Sequence, residues 1–327
     1  MRVVRGALLL AGTSILAVLV TQVGIAAIGA ALARVAWWQL LLVCLPYALS
    51  TAVDTLGWRF TFTEARPPFF WLLAARVAGE AVNVVSALAS VGGEAVKVWL
   101  LRPHVPYEAS VPAVIIAKTT VTIAQALLLL LGIAVAWTVV GIDSQVLGAM
   151  IWLLAVEVVA VGGFVLSQVC GLLARSGRLL RWSGLIADPS SAERVDATLR
   201  TFYRRQWLPL VLSVGCHFAG WLIGVLEAAV ILHVLQVPVS FATTTVIEAL
   251  GSGVRFATFL VPASLGAYEG ANAAAFGALG LGAGTGIAFS LLRRTRQAVW
   301  IGVGALVIVL ARTGAARPRE GRTALPQ

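Results

Sequence analysis

The chain has 327 residues, 60% of them hydrophobic and 12% charged, with a net charge of +10 and a mean hydropathy of +0.94. Soluble domains carry about 25% charged residues, so a water-facing surface is excluded and a membrane protein is selected. The positive balance does not indicate nucleic acid, because the basic residues concentrate in short connecting segments, the pattern that orients membrane proteins and meets anionic lipid.

The N-terminus imitates a signal peptide, with Arg2 and Arg5, an apolar run, and Ala31-Leu32-Ala33. Yet Gly6 to Ala33 holds no charge. A signal core is only about 7–15 residues, so a retained first span is expected. About 20 apolar residues cross the hydrocarbon, and six segments reach that length: roughly 7–33, 35–55, 111–140, 146–172, 207–235 and 285–311. The residues Trp37, Trp38, Trp152, Trp207 and Trp300 read as interfacial anchors near span ends.

Two stretches, roughly 69–102 and 241–283, are apolar but interrupted. The first breaks at Ala89-Ser90-Val91-Gly92-Gly93-Glu94. Its charged and polar residues are Arg76, Glu80, Asn83, Glu94 and Lys97. Arg76 and Glu80 share a helix face and can pair, as can Glu94 and Lys97. Gly92 and Gly93 supply backbone freedom for the break. Lys97 and Arg102 have the alternative of snorkelling to the surface. The isolated Lys118, Glu157 and Glu227 need partners on other spans, and the last two stand near mid-span, where a proton or ion route is an option.

The 173–206 segment carries Arg175, Arg178, Arg181, Arg194, Arg200, Arg204 and Arg205. Asp188-Pro189 reads as a helix start. Val195, Leu199 and Phe202 then make one apolar stripe, as in a short helix lying on the membrane surface or in a solvated loop.

The second interrupted stretch contains Glu248, Arg255, Pro262, Ser264, Gly266, Tyr268, Glu269, Gly270 and Asn272. Pro262 is expected to end the entering helix, and Gly266 and Gly270 to loosen the turn. Glu269 would start the exiting half-helix, where a carboxylate suits the positive end of the dipole. The last span brings Arg293, Arg294 and Arg296 about ten residues into an apolar stretch. These arginines are expected to meet a lipid phosphate or the carboxylates of the second stretch, or else to border the membrane.

The expected architecture is an all-α polytopic bundle of about six full spans plus two re-entrant helical hairpins, in one domain over 1–312 with a polar tail at 313–327. With the basic segments in the cytoplasm, both termini lie inside and the hairpins enter from opposite faces. Ala89-Ser90-Val91-Gly92-Gly93 resembles Ala263-Ser264-Leu265-Gly266-Ala267, so inverted repeat halves near 1–145 and 146–312 are expected, with a site at the membrane midplane. The cysteines Cys44, Cys170 and Cys216 read as buried small side chains, and His104, His217 and His233 show no ligand spacing. No catalytic, metal or cofactor motif stands out.

The stretches Gly92-Gly93-Glu94-Ala95-Val96-Lys97 and Val261-Pro262-Ala263-Ser264-Leu265-Gly266-Ala267-Tyr268-Glu269-Gly270 resemble the two signatures of the lysylphosphatidylglycerol synthase transmembrane-region family. The likeness covers roughly 10–310 and is greatest to its hopanoid-biosynthesis-associated branch. It implies movement of a lipid between leaflets of a bacterial inner membrane, with Gly92, Gly93, Glu94, Pro262, Ser264, Gly266, Glu269 and Gly270 as carried-over positions. The cytosolic aminoacyl-transfer domain of the full synthases has no counterpart in this sequence, so transport rather than aminoacylation is expected. Lipid-biosynthesis or transport proteins are candidate partners, since ATP-driven transport would need one. The alternatives are an intramembrane lipid-phosphate enzyme, of which Pro262-Ala263-Ser264 is a loose echo, and a scaffold for lipid synthesis.

Overall fold

The apolar runs become helices, and these continue through internal Pro46 and Pro112. The computed structural model describes residues 36–63, 66–85, 91–170 and 190–315. The expected span at 7–33, residues 86–90 of the first break, Asp188-Pro189 and the tail from 316 lie outside the described residues. Within them all regular structure is helical: α1 (Trp37–Arg59), α2 (Phe69–Val85), α3 (Val91–Leu101), α4 (Tyr107–Val140), α5 (Gln145–Val169), α6 (Ser190–Arg205), α7 (Trp207–Val234), α8 (Phe241–Ala257), a 3-10 turn (Pro262–Ser264), α9 (Ala267–Ala278) and α10 (Ala283–Ala315). Helix starts follow local chemistry. Ser144 Oγ accepts the Val146 N–H at the start of α5, and Ser240 Oγ accepts the Thr243 N–H at the start of α8.

Five helices, α1, α4, α5, α7 and α10, are long and apolar enough to cross a membrane. They coincide with five of the six expected spans. Their outer faces keep large apolar groups exposed, for example Trp137, Trp152, Val159, Leu166, Leu306 and Leu310. Such a surface is stable only against hydrocarbon. The protein is therefore a polytopic helical membrane bundle.

At the centre, α1 crosses α7 antiparallel. Val43 packs with Ala228, Ile231 and Leu232, while Gly57 lies under the His217 ring, where a Cβ would stand 3.0 Å from it. The four shorter helices fold back in pairs at opposite ends of this crossing. The start of α2 meets the end of α3, where Trp71 stacks on His104 at 4.7 Å. Leu72, Leu101 and Val105 join Trp58 and Phe62 at the end of α1. The start of α8 meets the end of α9, where Val237, Val239, Leu279 and Leu281 join Val234 and Leu235 at the end of α7. Helix α10 packs along α9 and α2, and the 3-10 turn at the tip of the second pair also touches α2.

Several local expectations are corrected. Gly92 and Gly93 lie inside the first turn of α3 rather than in the break. Gly93 is there for close approach, since a Cβ on it would strike the Gly79 carbonyl and the Asn83 amide. Helix α8 ends at Ala257, before Pro262, which instead opens the 3-10 turn. Gly266 does carry the turn, at φ 78°, whereas Gly270 is already helical in α9. Trp300 packs against Tyr47, with ring centres 5.3 Å apart and planes tilted by 54°. Cys170 is exposed rather than buried. The α6 stripe holds: Leu199 and Phe202 are buried against Ile116 of α4, with Val195 beside them, and Arg200, Arg204 and Arg205 are exposed.

Candidate functional site

A charge in a bilayer costs a few kcal/mol or more unless it is partnered. The fold answers that cost with two clusters, one at each short-helix pair.

The first cluster joins α1, α2, α3 and α7. Lys97 Nζ bridges Glu80 at 2.8 Å and Glu94 at 3.1 Å. Asn83 stitches the tip of the pair: its Nδ2 donates to Glu94 Oε1 at 3.2 Å, and its Oδ1 accepts the Gly93 N–H at 2.9 Å. The expected Glu94–Lys97 pair forms. The expected Arg76–Glu80 pair is replaced, because each residue reaches a better-placed partner across the bundle. Arg76 Nη2 meets Asp54 Oδ2 on α1 at 3.0 Å. Lys97 does not snorkel; it is buried, with its ammonium 5.9 Å from the Trp58 ring centre. His217 Nδ1 sits 2.8 Å from Asp54 Oδ1, so this histidine is not a lone packed residue. Gly220 allows the approach, as a Cβ there would lie 2.7 Å from the same oxygen. Asp54 and His217 are the members that sequence reasoning missed. Asp54 is the one acid within the expected span 35–55, and the rule applied to Glu157 and Glu227 would have found it.

The second cluster joins α7, α8, α9 and α10. Arg293 Nη2 contacts Glu248 Oε2 at 2.6 Å, and its Nε lies 3.6 Å from Glu227 Oε1. Its Nη1 donates to the Tyr268 hydroxyl at 3.2 Å, and Nη2 to the Gly224 carbonyl at 3.3 Å. Arg294 Nε meets Glu269 Oε1 at 2.8 Å, while its Nη1 donates to the Ala263 carbonyl at 2.7 Å and to Gln297 Oε1 at 3.1 Å. Arg296 Nε lies 3.2 Å from Glu227 and covers the Tyr47 ring at 4.0 Å. Arg255 Nη2 meets Glu248 Oε1 at 3.0 Å. Glu269 also caps α9, its Oε2 accepting the Gly266 N–H at 2.8 Å. Ser264 is buried in the turn, with a φ of 50° beside Ala263 at 53°. Arg294, by gripping the Ala263 carbonyl, holds that conformation in place.

Of the two expected roles for Arg293, Arg294 and Arg296, contact with the carboxylates of the second stretch is realised for Arg293 and Arg294. Arg296 pairs instead with Glu227 of α7. All three lie inside α10, not at its edge. Glu157 is buried on α5, and neither carboxylate oxygen has a hydrogen-bond partner among the described residues.

Two opposed helical pairs, each carrying an ionic cluster, inside a bundle of apolar spans define a polytopic membrane protein with paired charges between its helices. The chain belongs to the lysylphosphatidylglycerol synthase transmembrane-region family, which matches it over residues 3–305. That membership gives it a membrane-lipid role. No curated protein and no solved structure matches the chain.

Proposed function

We propose that this protein moves a lipid between the two leaflets of a bacterial inner membrane, as a flippase-type transporter without a covalent step. The observation that carries the proposal is the placement of both ionic clusters beside folded-back helix pairs too short to span. Helices α2, α3, α8 and α9 have 17, 11, 17 and 12 residues. At about 1.5 Å per residue none exceeds about 26 Å, less than the roughly 30 Å hydrocarbon core. Each pair is re-entrant in this reading, entering and leaving on one side. Arg293 lies ten residues after Ala283 in α10, about 15 Å down the helix and so close to the midplane.

Orientation follows from charge. The arginine-rich 173–206 segment is placed in the cytoplasm, with both termini. The α2–α3 cluster then serves the cytoplasmic half and the α8–α9 cluster the outer half. A headgroup would pass from one to the other along the polar faces of α1 and α7, while the tails stay in lipid. Tyr47 and Asp54 of α1, and His217 and Glu227 of α7, reach both clusters. The family and this chemistry favour an anionic or modified phospholipid, or a hopanoid-related lipid, as cargo.

The test is reconstitution in proteoliposomes carrying a trace of fluorescent phospholipid, with a membrane-impermeant quencher reporting leaflet exchange. Wild-type protein should speed exchange over empty liposomes. Glu269→Gln and Arg293→Gln should abolish the gain in protein that still purifies as a monodisperse species. Exchange that is unaffected by either substitution, or release of phosphate from a lipid diphosphate by the purified protein, would overturn the proposal.

A further inference from the structure

In the second cluster four guanidiniums, Arg255, Arg293, Arg294 and Arg296, face three carboxylates, Glu227, Glu248 and Glu269. The surplus positive charge lies in a series of three cations, Arg255, Arg293 and Arg296, that share two carboxylates. Arg293 is enclosed by two carboxylates, a phenol and a carbonyl. Arg294 has Glu269 to itself. Arg296 lies against Glu227 and is covered by Tyr47. Arg255 has only Glu248, and Glu248 gives its other oxygen to Arg293 at the shorter distance, 2.6 Å against 3.0 Å. Glu248 and Glu227 thus each serve two cations, and Arg255 and Arg296, at the two ends of this series, each have only a shared carboxylate.

Of these two, Arg255 is the accessible one, with its side chain 32% exposed against 14% for Arg296, which Tyr47 covers. It stands in the last turn of α8, at the tip of the helix pair. Its guanidinium lies 5.0 Å from the Tyr268 ring centre and 5.9 Å from that of Trp221. Aromatic faces hold a guanidinium in place without using its N–H donors. The Arg294 guanidinium lies against the same Tyr268 ring at 6.0 Å, and its Nη2 has no hydrogen-bond partner among the described residues. Beyond Arg255 the tip exposes Phe259 and Leu260. A partly neutralised cation on an aromatic platform, bordered by exposed apolar side chains, matches an amphiphile with a phosphate head.

We infer that Arg255 is the headgroup-contact residue of the second cluster and takes a lipid phosphate by exchanging Glu248 for it. The inference rests on the lipid-transport reading and narrows the cargo to phosphate-bearing lipids at this site. On arrival of the phosphate, Glu248 stays paired with Arg293, so no carboxylate is stranded. Guanidinium forks suit this exchange, because they bind a phosphate through two N–H groups.

Binding to the purified full chain in detergent tests it, with phosphatidylglycerol, diacylglycerol and glycerol phosphate as probes and thermophoresis as the readout. Wild-type protein should bind phosphatidylglycerol at least tenfold more tightly than the other two. Arg255→Gln should lose about tenfold for phosphatidylglycerol and nothing for diacylglycerol, with its thermal unfolding midpoint near that of wild type. Arg255→Lys, which keeps the charge but not the fork, should recover part of the loss. Arg204→Gln, in the surface helix α6, should bind as wild type does. Equal wild-type affinity for phosphatidylglycerol and diacylglycerol would overturn the inference, as would unchanged binding in Arg255→Gln. Glycerol phosphate binding as tightly as the lipid would assign the site to a free anion and also overturn it. Because binding is read without leaflet exchange, phosphate-selective binding by a protein that moves no lipid would sink the transport reading and leave the binding residue standing.

Discussion

The two short helix pairs are built from the same parts and tuned differently. In the α2–α3 cluster three carboxylates, Asp54, Glu80 and Glu94, surround two fixed cations, Arg76 and Lys97, and Glu80 remains 39% exposed. In the α8–α9 cluster the balance reverses, with four guanidiniums and three carboxylates that are each 5% exposed or less. The first is acid-rich with a part-exposed carboxylate, the second base-rich with its carboxylates dry. Lysine suits the former, because a compact ammonium can bridge two carboxylates that still touch water. Arginine suits the latter, because its fixed fork and weak hydration tolerate burial against aromatic rings. A headgroup crossing between them would meet opposite electrostatic surpluses at the two ends of its route.

The largest expected effect tests whether the pairs really face opposite sides. In a background lacking Cys44, Cys170 and Cys216, a cysteine at His104 and one at Gly282 should react with a membrane-impermeant maleimide from opposite faces of the membrane, all or none. Labelling of both from one face would break the comparison at its root. Next comes the dry cluster. Arg293→Met takes one of two cations from both Glu248 and Glu227, leaving them Arg255 and Arg296, and removing one partner of a buried pair costs up to about 3–5 kcal/mol. Lys97→Met should cost less, because water can reach Glu80. Thermal unfolding in detergent measures both, and equal losses would mean the clusters do not differ in hydration.

A smaller contrast lies in the glycines. Gly93→Ala drives a methyl into the Gly79 carbonyl and Asn83, an overpacking of about 1–3 kcal/mol. Gly277→Ala in α9 meets nothing within 4 Å and should be neutral or stabilising by up to about 1 kcal/mol. Comparable destabilisation by the two would show that the α2–α3 contact is looser than the structure has it. Smallest is Ser240→Ala, the cap of α8, with a loss of about 1 kcal/mol. The same unfolding assay reads it, and no change would mean that water replaces the hydroxyl there.

Much of the fold was legible beforehand. Run length and sparse charge locate α1, α4, α5, α7 and α10, because a span is a local property of about 20 residues. The two interrupted stretches were legible as such, although Gly92 and Gly93 are helical and α8 ends before Pro262, and the Glu94–Lys97 pair follows from helical spacing alone. The remaining partners did not follow. Arg76 meets Asp54 across 22 residues, Lys97 meets Glu80 across 17, and Arg294 meets Glu269 across 25. Helical periodicity offered Arg76 a neighbour in Glu80, and only the α1–α2 contact supplies the alternative that prevails.

By itself, then, the sequence determined that this chain enters a membrane, which segments are long enough to cross it, and that charge must be sheltered beside two interrupted stretches. Those properties depend on hydrophobicity summed over contiguous residues. The tertiary structure alone decided which acid neutralises which base, that Asp54 and His217 belong with Arg76, and that Arg255 is left with half a partner. Those outcomes depend on side chains from separate helices converging within about 3 Å, a distance that no linear spacing encodes.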